Sequence, residues 1–223
     1  MFSLNEFDAL KRYVNSGGNV LVCLQEGGET RAETNLNYFL EEFGISVNSD
    51  SCVRSVFYKY FHPKENLITS GVINKEIARV ALGRSKTKTP FGSSINAGMT
   101  DGPETEDSDS LKFVYPFGAT LNIQKPAMAI LSSGPLSVPN NRPIASLYTT
   151  KSKRGRIVVM GSVKVWADEY LDNEDNYKLS DILMKWLLGE GDIELEEVDE
   201  PDISDFAVVP DVQGMADNLK SCL

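Results

Sequence analysis

The sequence predicts an α/β protein, with a three-layer, doubly wound, mostly parallel sheet and an antiparallel strand-rich portion. Three observations carry this. Ser3 to Gly44 reads helix, Gly-Gly elbow, buried strand, acidic Gly-Gly loop, helix, which is an αβα piece of such a sheet. From Leu111 onward, short apolar runs alternate with turn signals, the texture of antiparallel strands. Near the end, Leu179, Ile182, Leu183, Trp186 and Leu187 recur at helical spacing and demand a partner layer.

The first helix is marked by Leu4, Phe7, Leu10 and Val14 on one face, with a capping box at Ser3 and Glu6. Gly17-Gly18 ends it, because glycine takes the left-handed closing conformation cheaply. Val20 to Leu24 is an unbroken apolar run suited to a central parallel strand covered on both faces. Glu26-Gly27-Gly28-Glu29 turns the chain at that strand's carboxyl end. Leu36, Phe39, Leu40 and Phe43 mark the next helix, which Gly44 stops.

Ile45 to Val47 is a short strand, and Val53 to Phe61 an aromatic extended stretch. Pro63 suits the first position of a short helix. A helix over Asn74 to Ala81 would turn Ile77 and Val80 inward. Residues 83–110 lack periodicity and are expected to be a flexible insertion. Strands follow at 112–115, 119–123, 127–131, 144–148 and 156–160. The last two are expected to form an antiparallel hairpin. Gly161-Ser162 leads into a helical segment, and Gly189 and Gly191 close the last helix. The α/β domain is thus expected to span residues 1–189. An acidic linker follows at 190–211, and 212–223 begins another helical segment.

The net charge is −10, but nine carboxylates and no Lys or Arg lie between Glu190 and Asp205, so the body is near neutral. A nucleic-acid interface would need a basic face. No apolar run reaches the length of a membrane helix, and no secretory signal is visible at the start. Cys23, Cys52 and Cys222 show no C-x-x-C spacing, which argues against a disulfide framework or a zinc site.

Open α/β sheets hold ligands at the carboxyl ends of their strands. The candidate contact residues are therefore Glu26, Gly27, Gly28 and Glu29 after the first strand, and Ser162, Trp166 and Asp168 after the last. The first loop has glycines whose N–H groups can face an anion, but its glutamates oppose one, so a tight turn with solvated acids is the simpler reading. Neither a dinucleotide nor a P-loop fingerprint is present. Cys23 lies inside its strand rather than on a strained elbow, which reads as a buried, inert thiol. His62 is the only histidine and lacks a nucleophile motif beside it. Ser162 lacks the G-x-S-x-G setting, and helix capping explains it better. No set of acid, base and nucleophile emerges, and no catalytic residue, metal ligand or cofactor is assigned.

Several long stretches carry a resemblance. They are Leu10 to Gly28, above all Lys11 to Gly18, Glu26 to Glu29 with Thr34-Asn35, Tyr58 to Glu65, Phe113 to Leu121, Asn141 to Ile144, and Asp168 to Asp172. Through them the chain resembles the GIFT-domain family of intraflagellar transport complex B, over nearly its whole length except 83–110. Pro201 to Asp205 and Val209 to Asp211 resemble the segment that follows the domain. The resemblance implies a flavodoxin- or amidotransferase-like fold without established catalytic residues. It implies a non-catalytic scaffold in cilium assembly, located at the cilium and basal body with a cytoplasmic pool. The partners it implies are other complex B subunits, met mostly through regions beyond this chain. It also implies further strand–helix units ahead of Ser3, so the domain is expected to be truncated at its amino end. Val20 to Leu24 would then expose an unpaired edge. The alternative function is a small-ligand or glycan-binding α/β module.

Overall fold

The computed structural model describes residues 1–56, 62–81, 83, 111–151, 155–190, 193 and 195. Helix α1 (Leu4–Asn15) leads into strand β1 (Asn19–Cys23). Short helices α2 (Gly28–Ala32) and α3 (Asn37–Leu40) follow, and a 3-10 turn extends the latter through Phe43. Strands β2 (Ile45–Val47), β3 (Val53–Arg54) and β4 (Glu65–Ile68) precede α4 (Lys75–Ala81). Strands β5 (Phe113–Pro116), β6 (Leu121–Ile123), β7 (Met128–Ser132), β8 (Ser137–Val138), β9 (Pro143–Thr149) and β10 (Arg156–Met160) come next. A 3-10 turn (Val163–Trp166), α5 (Asp168–Leu171) and α6 (Asn176–Leu188) complete the order.

The central sheet runs β1-β10-β9-β7. Two-stranded antiparallel pairs β2-β6, β3-β8 and β4-β5 surround it. The expected mostly parallel sheet is corrected here. Among the described residues only β1 and β10 pair in parallel, while β10-β9 and β9-β7 are antiparallel. The β10-β9 pairing is the expected hairpin. The turn between Thr149 and Arg156 is too short for a crossover, so it can only reverse the chain. Among the described residues β1, whose apolar run suits a central strand, sits at the edge of this sheet.

Alternation along β10 separates two cores. Ile157 and Val159 join Phe7, Val14, Phe39, Leu40 and Phe43 on the α1/α3 face. Val158 and Met160 join Leu179, Leu183, Trp186 and Leu187 on the α6 face. The sheet is thus layered between helices. Each fully buried apolar side chain contributes about 1.5–3 kcal/mol.

Local chemistry explains the boundaries. The Glu6 carboxylate accepts the Ser3 N–H at 2.7 Å and its hydroxyl at 2.8 Å, closing the start of α1. Gly17 has φ +106°, the left-handed conformation that glycine adopts without strain, and Gly18 packs against the Tyr13 ring. Leu4 departs from the expected stripe and is exposed, leaving Phe7 and Val14 as the buried residues of α1. The expected helix at Pro63 is a turn into β4, whose backbone is claimed by β5. Asparagine side chains stand in for strands at two places. Asn37 exchanges hydrogen bonds of 2.8 and 2.9 Å with the Val47 backbone. Asn176 does the same with Val114, at 2.8 and 3.0 Å, and ties α6 to β5.

Ile193 and Leu195 pack on the α6 core, so the packed body continues past Gly189. Residues 57–61 of the aromatic stretch, almost all of the expected insertion and the tip of the turn between β9 and β10 (Ser152, Lys153 and Arg154) lie outside the described residues. So do most of the acidic linker and all of 212–223.

Candidate functional site

The two loops singled out in the sequence do meet. The Val163 N–H donates to the Leu24 carbonyl at 2.7 Å, setting the start of the 3-10 turn against the end of β1. What fills the space at their junction is the chain itself. The Glu26 N–H donates to the Phe117 carbonyl at 2.9 Å, the Gly27 N–H to Asp50 at 2.8 Å and the Gly28 N–H to Gln25 at 2.9 Å. The three amides that could have faced a ligand therefore have internal acceptors. Gly28 takes φ +51°, and a Cβ there would strike the Asn48 carbonyl. A Cβ on Gly161 would strike that of Ala119. Backbone contact is the reason for glycine at both positions.

The expected solvated acid, Glu26, is corrected to a buried ion pair. Glu26 is 3 % exposed and Lys64 is 2 % exposed. The Lys64 ammonium lies 2.7 Å from Glu26 Oε2. Arg31 donates to Oε1, and the Ser51 hydroxyl donates to Oε2 at 3.0 Å. Such a pair is sustained by these added hydrogen bonds, which offset the cost of desolvating both charges. Glu29 accepts the Asn37 N–H and thereby closes the first turn of α3.

A second buried group adjoins the first. Asp50 accepts the Thr120 N–H at 2.7 Å and the Thr120 hydroxyl at 2.6 Å. Burial pushes the Asp50 carboxyl above its ordinary range, while these bonds and the nearby Arg142 guanidinium pull the other way. Arg142, also buried, donates to Asn122 Oδ1 at 2.5 Å, and Asn122 exchanges bonds with Asn48. Nothing in residue spacing foretold this group. Its members, Asp50, Thr120, Asn122 and Arg142, are remote along the chain.

The other residues are placed as follows. The Ser162 hydroxyl is buried and donates to the Pro116 carbonyl rather than capping a helix. Trp166 is half-buried beside Cys23. Burial pushes the Cys23 thiol up to about 11, with the Trp166 indole opposing, so the sulfur stays protonated and inert near neutral pH. Asp168 is exposed, in the first turn of α5. His62 accepts the Lys64 N–H through Nδ1 at 3.1 Å. Its ring lies 4.7 Å from that of Phe117. Lys164 stands over the same ring at 4.2 Å. Among the described residues no group of three or more His, Cys, Asp or Glu is arranged to hold a metal ion. No helix there is long and apolar enough to cross a membrane.

A profile described as the IFT52 GIFT domain matches residues 1–201 of this chain. The chain belongs to the IFT52 GIFT-domain family. It is 45 % identical over 225 residues to "Intraflagellar transport protein 52 homolog" of Mus musculus, which covers all of this chain and 50 % of that protein. It is 43 % identical over 224 residues to the Homo sapiens protein of the same description, again over the whole chain and 49 % of the relative. The chain thus spans about half the length of these relatives. A solved structure titled "mmIFT52 N-terminal domain" superposes with a TM-score of 0.72 at 46 % identity, over 87 % of this chain and 75 % of that one. The GIFT-domain match ends beyond Leu195, in accord with the packing of that residue on the body.

Proposed function

We propose that this chain is the GIFT module of an intraflagellar transport protein, and that it works as a non-catalytic scaffold of complex B in building and maintaining cilia. Its place is the cilium and basal body, with a cytoplasmic pool. Its partners are other complex B subunits, not nucleic acid and not a membrane interior. The observation that carries this reading is the filled strand end. The position where α/β folds keep their chemistry is filled by backbone bonds and by the buried Glu26–Lys64 pair. Affinity capture of the tagged full-length protein from ciliated cells tests it. Recovery of complex B subunits is expected, and their absence would reject it.

The finer fold belongs to the same proposal. In the row Leu21–Val158–Leu147, the last two residues are fully buried and Leu21 is 37 % exposed. We read the outer edge of β1 as the continuation point of a doubly wound, flavodoxin- or amidotransferase-like sheet. The body then spans 1–189 or slightly more, followed by an acidic linker and a helical segment.

The second reading keeps Glu26 to Glu29 with Ser162, Trp166 and Asp168 as contact loops for a polar or glycan ligand. What favours it is their adjacency through the Val163–Leu24 bond. A thermal-shift screen with mono- and disaccharides distinguishes it, since a ligand of the native state must raise Tm.

A further inference from the structure

The sealed strand end carries one strained residue on its rim. Phe117 takes φ +47°, a left-handed conformation that an aromatic residue rarely adopts. Two loops hold it there. Its N–H donates to the Lys64 carbonyl at 2.9 Å, and its carbonyl accepts the Glu26 N–H at 2.9 Å. Both bonds use the backbone alone, and glycine would take this conformation without strain. What phenylalanine adds is the ring, and the ring is only half-buried. His62 backs it at 4.7 Å, and the Lys164 ammonium stands 4.2 Å from its centre. Strain kept at a position that presents a side chain points to a use for that side chain.

The charge around the ring points to what it meets. Glu26 is shared by two cations, Lys64 and Arg31, so the adjoining cluster keeps an excess of positive charge. Among the described residues Lys164 has no ion pair, and its ammonium rests on the ring. Asp168 and Glu169, a turn further on, are exposed and form no ion pair with it. Val163, next to Lys164 in the same 3-10 turn, is exposed. A phosphate would call for several N–H donors together, and those of Glu26, Gly27 and Gly28 are spent inside the chain.

We propose that Phe117 and Lys164 form a docking spot for an acidic peptide segment of a protein partner. A carboxylate of that segment meets the Lys164 ammonium, and an aromatic or apolar side chain beside it covers the Phe117 ring. Ring and cation are then engaged together, as in the aromatic and charged anchors of protein interfaces. The proposal rests on the scaffold reading for the partner's being a protein, and that reading fails separately, in the capture from cells.

Titration of the whole chain with two polymers, followed through its amide NMR signals, tests this. One polymer is a glutamate–tyrosine copolymer and the other is poly-glutamate. The copolymer is expected to shift the amides of Phe117, Val163 and Lys164, and to bind more tightly than poly-glutamate. Lys164→Glu reverses the charge and should weaken the copolymer by about tenfold or more. Phe117→Gly removes the ring and keeps the backbone conformation. The same weakening is expected there, with Tm within about 4 °C of wild type. Copolymer binding that shifts other amides, or that is unchanged in either variant, would overturn the spot. A Phe117→Gly chain that melts far below wild type would overturn it too, by making the ring an ordinary packing residue. Equal affinity for the two polymers would overturn the ring's part in it. Shifts at the same amides with maltose and not with the copolymer would give the spot to the sugar reading instead.

Discussion

At the carboxyl end of β1, Glu26 and Lys64 are 3 % and 2 % exposed, whereas along its outer edge Leu21 keeps 37 % exposure. The first region is polar and sealed. The second is apolar and open, and the exposed Tyr13 of α1 precedes the elbow that leads into it. This inverts the usual arrangement of an α/β enzyme, which seals its edges and opens its strand ends. The contrast teaches that polar residues at a strand end mark a site only when their hydrogen bonds are left for a visitor. Here the chain has taken them.

The contrast can be broken most strongly at Lys64. Lys64→Met leaves Glu26 buried without its main partner, and a loss of about 3–5 kcal/mol is expected in a urea titration. The double variant Glu26→Gln/Lys64→Met should recover most of that loss. A single variant that melts like wild type would show that the strand end is open to water.

The alkaline limb comes next in size. Cys23 titrates at about 11 in the fold, against about 9 for an ordinary thiol. Its contribution is full below the unfolded value and is lost as pH rises through the folded one. Stability should fall by about 2–3 kcal/mol between pH 9 and 11 from this group alone. Buried Cys52 and Tyr115, also shifted upward, steepen the fall. Cys23→Ala should flatten the slope, read as urea midpoint against pH.

Asn176→Ala removes both bonds to Val114 and exposes two strand groups to a dry interface. A cost of about 2 kcal/mol is expected, with α6 loosening from β5 before β10 is affected. The smallest effect sharpens the other half of the comparison. Leu21→Lys should change stability by less than about 0.5 kcal/mol, since the side chain is not enclosed. It should also reduce self-association of the isolated chain, measured by light scattering, because a charge blunts an edge strand.

What the sequence made legible follows from periodicity and punctuation. The α6 stripe, the Gly17-Gly18 elbow and the β9-β10 hairpin were all readable, because each is fixed by residues within one element or one turn. Leu4 was misread because the hydrophobic stripe does not tell where the partner layer ends. The share of parallel pairing and the place of β1 in the sheet were misread, because an apolar run does not tell which strands lie beside it. The loops at Glu26 and Ser162 were located correctly in space. Their engagement was not readable, because Lys64, Asp50 and Arg142 come from turns that the fold alone brings together.

The proposed scaffold acts through its surfaces and not through a reacting side chain. Full-length protein carrying Cys23→Ser and His62→Gln together, expressed in cells that lack the native copy, tests this most directly. Cilia of normal number and length are predicted. Stable, folded variant protein that fails to restore them would contradict it.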